Sequence, residues 1–242
     1  MKNLKSIFVL TAMFFSIAML SAQVVKVPEI GEQAPEFKAQ STNGKIHFPS
    51  DFGNHWKILF SHPKDFTPVC SSEIYELAQA QQAFDKLDTK IVVMSTDLLV
   101  QHESWKAALE EISYKDRTPM KILFPIVSDN DLKVSKLYGM IHSNESLSLN
   151  IRGVYFVDPD NTIRAIFFYP NEVGRNIDEI QRTLVSLQNH YANNNQVTPA
   201  NWQLGDDVLI PVMTKAEKDG LSLPNSELYQ VSWFMTFLES TR

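Results

Sequence analysis

The chain is 242 residues long, 44% hydrophobic and 21% charged, with a formal net charge of −6. That length and apolar content fit one domain with a sizeable core plus an appendage, and they exclude a disordered chain. No dense Lys/Arg cluster occurs, which argues against a nucleic-acid partner, because binding phosphates needs a basic footprint.

The first segment, MKNLKSIFVLTAMFFSIAMLSAQ, opens with Lys2 and Lys5, runs apolar from Ile7 to Leu20, and closes on Ser21 and Ala22. This is the order of a secretory signal. The apolar run is shorter than the ~20 residues of a membrane span, and no later segment has that character. The expectation is a signal peptide over residues 1–22, cleaved near Ala22 or Gln23, and a mature protein exported to the periplasm or beyond. An uncleaved N-terminal anchor is the alternative.

Asn43-Gly44 marks a turn in a small N-terminal hairpin. Lys57–Ser61 and Lys90–Ser95 are short β-branched apolar runs and read as buried strands. Between them Ile74, Leu77, Ala78, Phe84 and Leu87 recur at helical spacing. A second helix is predicted from Leu99, a third strand over Lys121–Asp129, and a short helix over Asp131–Met140. Two strand-like runs flank Asp158-Pro159-Asp160-Asn161 and predict a hairpin. Ile177, Ile180, Leu184, Leu187 and Tyr191 then share one helical face. This order implies an α/β domain with a mixed sheet flanked by helices. After Asn193–Asn195 the texture changes to prolines, tryptophans and short alternating strands. Residues 23–192 are therefore expected to form the main domain and 193–242 a small extension, too small for a strong core of its own. It should pack on its own domain or on a second subunit, and the apolar VSWFMTF near its end should be covered.

The chain has one cysteine, Cys70, so no internal disulfide can form. An unpaired thiol in an oxidising compartment is a liability unless buried or used. Thr67 is a good N-cap residue and Pro68 suits the first helical position, which puts Cys70 at the third. There a thiolate meets unsatisfied backbone N–H groups and the positive end of the helix dipole. On this local reading Cys70 is either an activated nucleophile or a buried inert thiol.

The stretch FSHPKDFTPVCSSEI resembles the active-site loop of the peroxiredoxins, with Pro63, Thr67 and Cys70 in the Pro-x-x-x-Thr-x-x-Cys pattern. His62, Asp65, Phe66, Pro68 and Val69 make it most similar to the one-cysteine subgroup. IGEQAPEFKAQSTNGKIHF, IRGVYFVDPDNTIRAIFFYPNEVGRNIDEIQRTLVSLQ and TPANWQLGDDVLIP resemble further segments of that family in the same order. The resemblance implies a thioredoxin-like fold and a peroxidase reaction in which Cys70 becomes a sulfenic acid. It implies no cofactor, and no metal site is expected, because no His/Cys/Asp spacing resembles a ligand set. Arg152 would stabilise the thiolate and the leaving oxygen, Thr67 would offer its hydroxyl to both, and Pro63 would shield the sulfur. Glu73 and Arg175 would orient Arg152 and the loop. His62 would be either a loop-packing residue or a direct redox participant. The resemblance also implies a peroxide substrate, a homodimer or higher homo-oligomer, and an external thiol or thioredoxin-like reductant, since a second cysteine is missing. Gly53-Asn54-His55-Trp56-Lys57 lacks the serine of the lipase-like element carried by some one-cysteine members, so lipase activity is not expected.

Two other readings compete. A Cys–His hydrolase would pair Cys70 with His47, His55 or His62, and would also need an orienting group and an oxyanion site. A binding or chaperone-type module would keep the fold but turn over slowly for want of a reductant.

Overall fold

In the computed structural model, residues 27–211 and 228–240 are described. The signal-like segment lies outside them. Among the described residues, ten strands and four α-helices follow in chain order, with one 3-10 turn at Ser50–Phe52: β1 (Phe37–Ser41), β2 (Gly44–Phe48), β3 (Trp56–Ser61), α1 (Pro68–Lys86), β4 (Thr89–Ser95), α2 (Leu99–Leu109), β5 (Ile126–Ser128), α3 (Lys133–Leu137), β6 (Arg152–Val157), β7 (Ile163–Tyr169), α4 (Ile177–Ala192), β8 (Val208–Ile210), β9 (Leu228–Ser232) and β10 (Met235–Leu238). The first seven strands form one mixed sheet in the order β2-β1-β5-β4-β3-β6-β7. Strands β3, β4 and β5 run parallel, while β6 lies antiparallel to β3 and β7 antiparallel to β6.

The alternation of side chains along a strand explains why the central runs are apolar throughout. Ile58 and Phe60 of β3, Ile91 and Val93 of β4, and Val154 and Phe156 of β6 join one core. Leu59, Val92, Met94, Tyr155 and Val157, their neighbours in sequence, join a second core on the other face. The first core is closed by Ile74, Leu77 and Phe84 of α1 and by Ile177, Ile180 and Leu184 of α4, with Trp105 and Leu109 of α2. The second is closed by the β1–β2 hairpin through Phe37, Ile46 and Phe48, and by Val134 of α3.

The third strand is much shorter than the expected Lys121–Asp129. Its first half is claimed by side chains. Gln81 donates to the Lys121 carbonyl at 2.7 Å and accepts from the Leu123 N–H at 2.9 Å. Glu110 accepts from the Ile122 N–H at 2.9 Å. Pro125 has no N–H to give a ladder, so regular pairing starts only at Ile126.

Glu110 also receives Lys106 at 2.5 Å and Lys121 at 2.7 Å, and its side chain is nearly buried. Burial pushes its carboxyl up, but the two lysines and the Ile122 amide outweigh it and hold it at about 2. The folded state therefore binds this proton less well than the unfolded chain, where a glutamate titrates near ~4.3. Its stabilising contribution is complete above that value and is lost as pH falls toward about 2. Urea titrations at pH 7 and along the acid limb should show a shallower acid-side loss for Glu110→Gln than for wild type. Coincident slopes would refute the assignment.

Helix α4 starts at Asn176, whose side-chain oxygen accepts from the N–H groups of Asp178 and Glu179 at 3.0 and 3.2 Å. Asn176→Ala should lower stability by about 1 kcal/mol in urea unfolding, the usual worth of such a cap. An unchanged midpoint would mean that solvent replaces the cap.

Strands β8, β10 and β9 form a separate three-stranded sheet. Trp202, Val208, Ile210 and Leu238 make a small core that leans on Val185 of α4. The extension thus packs on its own main domain. Of the VSWFMTF run only Thr236 is buried, with Leu238 just beyond it; Trp233 is 76% exposed and Phe234 54%. These two sit at the turn between β9 and β10, where a reversing chain cannot direct both rings to a core.

Candidate active site

Strand β3 hands over to α1 through residues 62–67. Thr67 is extended (φ −103°, ψ 148°) at the N-cap position and Pro68 opens the helix, so Cys70 is its third residue, as expected. The first backbone bond of the turn runs from the Ser71 N–H to the Thr67 carbonyl at 2.9 Å. The Thr67 hydroxyl does not cap the helix; it donates instead to the Lys64 carbonyl at 2.8 Å. That bond closes the loop from Lys64 to Thr67. Pro63 is buried in this loop, whereas Phe66, with a left-handed φ of 56°, is exposed. Cys70 is buried and free.

The sulfur's hydrogen-bond partner comes from a distant strand. Arg152, the first residue of β6, directs Nη1 at Cys70 Sγ across 3.3 Å and at Glu73 Oε2 across 2.7 Å. Its Nε and Nη2 both donate to the Asn171 carbonyl, at 3.1 and 2.7 Å. Every face of the guanidinium is thereby fixed. Glu73 lies one helical turn after Cys70 and serves two arginines. Arg175 donates to it from its backbone N–H at 2.8 Å, from Nε at 3.0 Å and from Nη2 at 2.8 Å. Burial pushes the Glu73 carboxyl up, yet the paired arginines outweigh it and hold it below its ordinary value, so it is a carboxylate.

Arg175 Nη1 reaches on to the carbonyls of Ser61 and Gly153, both at 2.9 Å, and its guanidinium lies over the Phe60 ring at 5.0 Å. It therefore joins the end of β3 to the start of β6. Gly153 is needed there: a Cβ would collide with the Met140 sulfur and stand 3.1 Å from Ser61 Oγ. The result is a thiol held against a cation that cannot lose its charge and cannot turn away. Such a cation stabilises negative charge on sulfur and charge moving onto a leaving oxygen.

His62, which follows β3, is buried against Trp105 with ring centroids 5.0 Å apart. Its Nε2 meets Asp65 Oδ1 at 2.8 Å, and His102 Nδ1 meets Asp65 Oδ2 at 2.7 Å. Burial lowers the affinity of His62 for a second proton and outweighs the pull of Asp65, so its ring is neutral. The donor atoms of these three residues lie within 4.8 Å of one another. Each nitrogen points at a carboxylate oxygen at hydrogen-bond distance, which is the geometry of shared protons rather than of ligands around an ion. His47 and His55, the other partners considered for a hydrolase, are engaged elsewhere: His47 faces Glu36, and His55 pairs with Asp88 at the far end of β3.

The structure thus brings Cys70, Glu73, Arg152 and Arg175 into one bonded cluster, with His62 and Pro63 in the adjoining loop. Sequence reasoning missed Asn171, Gly153 and His102. Their roles rest on a backbone carbonyl, on a missing Cβ and on a contact between α2 and a loop, and none of these leaves a local pattern.

A mixed sheet flanked by helices, with one cysteine at a helix start under an arginine, defines a thioredoxin-like thiol oxidoreductase. The AhpC/TSA family model matches residues 30–166, and that of the C-terminal domain of 1-Cys peroxiredoxin matches residues 186–220. A peroxiredoxin of Methanosarcina mazei is 39% identical over 219 residues, covering 89% of this chain and all of that one. A 1-Cys peroxiredoxin of Dictyostelium discoideum is 39% identical over 195 residues, covering 80% of this chain and 78% of that one. Among solved structures, a yeast mitochondrial 1-Cys peroxiredoxin superposes with a TM-score of 0.76 at 35% identity, covering 88% of this chain and 100% of the other. A cysteine-to-serine mutant of the peroxiredoxin 6 of Arenicola marina gives a TM-score of 0.74 at 28% identity over 89% of this chain and 99% of the other. The chain belongs to the peroxiredoxin family, with the one-cysteine C-terminal domain, and is a peroxidase of that type.

Proposed function

We propose that this protein reduces hydrogen peroxide and organic hydroperoxides through Cys70. The observation that carries the reading is the 3.3 Å contact between Arg152 Nη1 and Cys70 Sγ, made by an arginine immobilised on Glu73 and Asn171. The thiolate attacks one peroxide oxygen, an S–O bond forms, and the O–O bond breaks. The leaving oxygen takes a proton and departs as water or an alcohol, and Cys70 is left as a sulfenic acid. With no second cysteine in the chain, an outside thiol attacks that sulfur, releases water and forms a mixed disulfide. A further thiol then restores Cys70.

The yeast structure is described as showing thiol resolution via glutathione/thioredoxin systems, and a reductant of that chemistry is the one proposed here. Arg152 stabilises the charge, Glu73 and Arg175 hold Arg152, Pro63 limits water access, and Thr67 swings its hydroxyl toward the sulfur once peroxide is bound. The mature protein is proposed to be exported after cleavage of residues 1–22. It is also proposed to dimerise, which would cover the exposed Trp233 and Phe234. Stopped-flow mixing of the reduced protein with hydrogen peroxide should show one fast phase, with the product trapped by a sulfenic-acid reagent. A thiol no faster than free cysteine would overturn the proposal.

A further inference from the structure

His102 lies inside α2, fully buried, between two hydrogen-bond acceptors. Its Nδ1 is 2.7 Å from Asp65 Oδ2 and its Nε2 is 3.1 Å from the Val127 carbonyl oxygen. A neutral imidazole carries one N–H and one bare lone pair. A neutral His102 would therefore leave a lone pair facing either a carboxylate or a carbonyl, in a place water does not reach, and such contacts are costly. A second ring proton satisfies both sides.

The surrounding charge agrees. Asp65 and Asp97 are both buried, and Asp97 Oδ2 accepts from the Asp65 N–H at 2.9 Å and from Ser95 Oγ at 2.8 Å. Among the described residues neither carboxylate pairs with a lysine or arginine, so the histidines are the cationic candidates in the cluster. Burial pushes the Asp65 carboxyl up, but its hydrogen bonds to His102 and His62 outweigh that and hold it below its ordinary value.

We propose that His102 is held as an imidazolium donating from both nitrogens, and that through Asp65 it locks His62 in the tautomer protonated at Nε2. With Asp65 Oδ2 engaged by His102, Oδ1 accepts from His62 Nε2 at 2.8 Å. The Nδ1 of His62 is then a bare lone pair, buried and without a partner in the structure. The His62 ring packs on Trp105, whose indole N–H donates to the hydroxyl of Ser71, next to Cys70, at 3.2 Å. His102 is thus a positioning residue. It keeps an acceptor rather than a donor in the wall behind the first turn of α1. Its bearing on rate rests on the reading of Cys70 as the peroxide-reactive thiol.

Long-range proton–nitrogen NMR of the reduced protein at neutral pH tests this. The expected spectrum shows both ring nitrogens of His102 protonated, and His62 protonated at Nε2 alone. A bare nitrogen on His102, or a proton on His62 Nδ1, overturns the proposal. His102→Asn keeps a donor N–H toward Asp65 and should retain the His62 pattern. His102→Leu removes it and should give a mixture of His62 tautomers. Peroxide oxidation of Cys70 should slow roughly tenfold in the leucine variant and recover in the asparagine variant, less than the ~10²–10⁴-fold of a group that itself transfers a proton. Equal slowing in both variants overturns the positioning role. If either variant fails to fold, the wild-type spectrum decides alone. A wild-type thiol that ignores peroxide refutes the peroxidase reading and leaves the proton assignment to the spectrum.

Discussion

Arg152→Ala is expected to slow the oxidation of Cys70 by hydrogen peroxide roughly 10²–10³-fold, about 3–4 kcal/mol of barrier, as for removal of one preorganised donor from developing charge. The reason is geometric. One nitrogen, Nη1, contacts both the sulfur and Glu73, while the other two are tied to the Asn171 carbonyl. The charge is therefore in place before peroxide arrives and needs no reorganisation. Arg152→Lys should recover little, because an ammonium cannot reach the sulfur, Glu73 and Asn171 at once from one fixed fork. Stability should suffer less than rate, since Glu73 keeps its three bonds to Arg175. Stopped-flow oxidation and urea unfolding of the same variant separate the two effects. A variant that reacts at the wild-type rate would remove Arg152 from the mechanism.

Glu73→Gln is expected to be the more damaging substitution for stability, at roughly 3–5 kcal/mol, the cost of removing one partner from a buried ion cluster. Both guanidiniums are nearly inaccessible to solvent. A neutral amide would leave two buried positive charges facing one another with no carboxylate between them. Arg175 would keep the Ser61 and Gly153 carbonyls, but Arg152 would lose the contact that aims it past Glu73 at the sulfur. Slower oxidation should therefore accompany the loss of stability. Linear extrapolation from urea measures the first effect and stopped flow the second. A loss below about 1 kcal/mol would show that water enters the cluster and replaces the carboxylate.

Much of this was legible in the residues. Strands β3, β4 and β6 are buried on both faces, so their apolar runs stood out, and the face shared by Ile177, Ile180 and Leu184 marked α4. Thr67-Pro68 located a helix start by local stereochemistry, and so placed Cys70 on its first turn. Less was legible wherever a side chain takes over backbone bonding. Gln81 and Glu110 shortened β5 by claiming residues 121–123. The Lys64 carbonyl accepts from the Thr67 hydroxyl, a bond that no local pattern announced.

The sequence alone determined that one thiol exists, that it opens a helix after a buried strand, and that no disulfide partner lies within the chain. These are matters of composition and of residues within a few positions of one another. Only the tertiary structure decided what the thiol touches. Arg152 lies 82 residues from Cys70, and Arg175 lies 102 from Glu73. The pairing of β6 with β3 and the docking of α1 on the sheet bring them together. The proton count at His102 was likewise out of reach of any pattern, because it depends on which two acceptors the fold sets against the two sides of one ring.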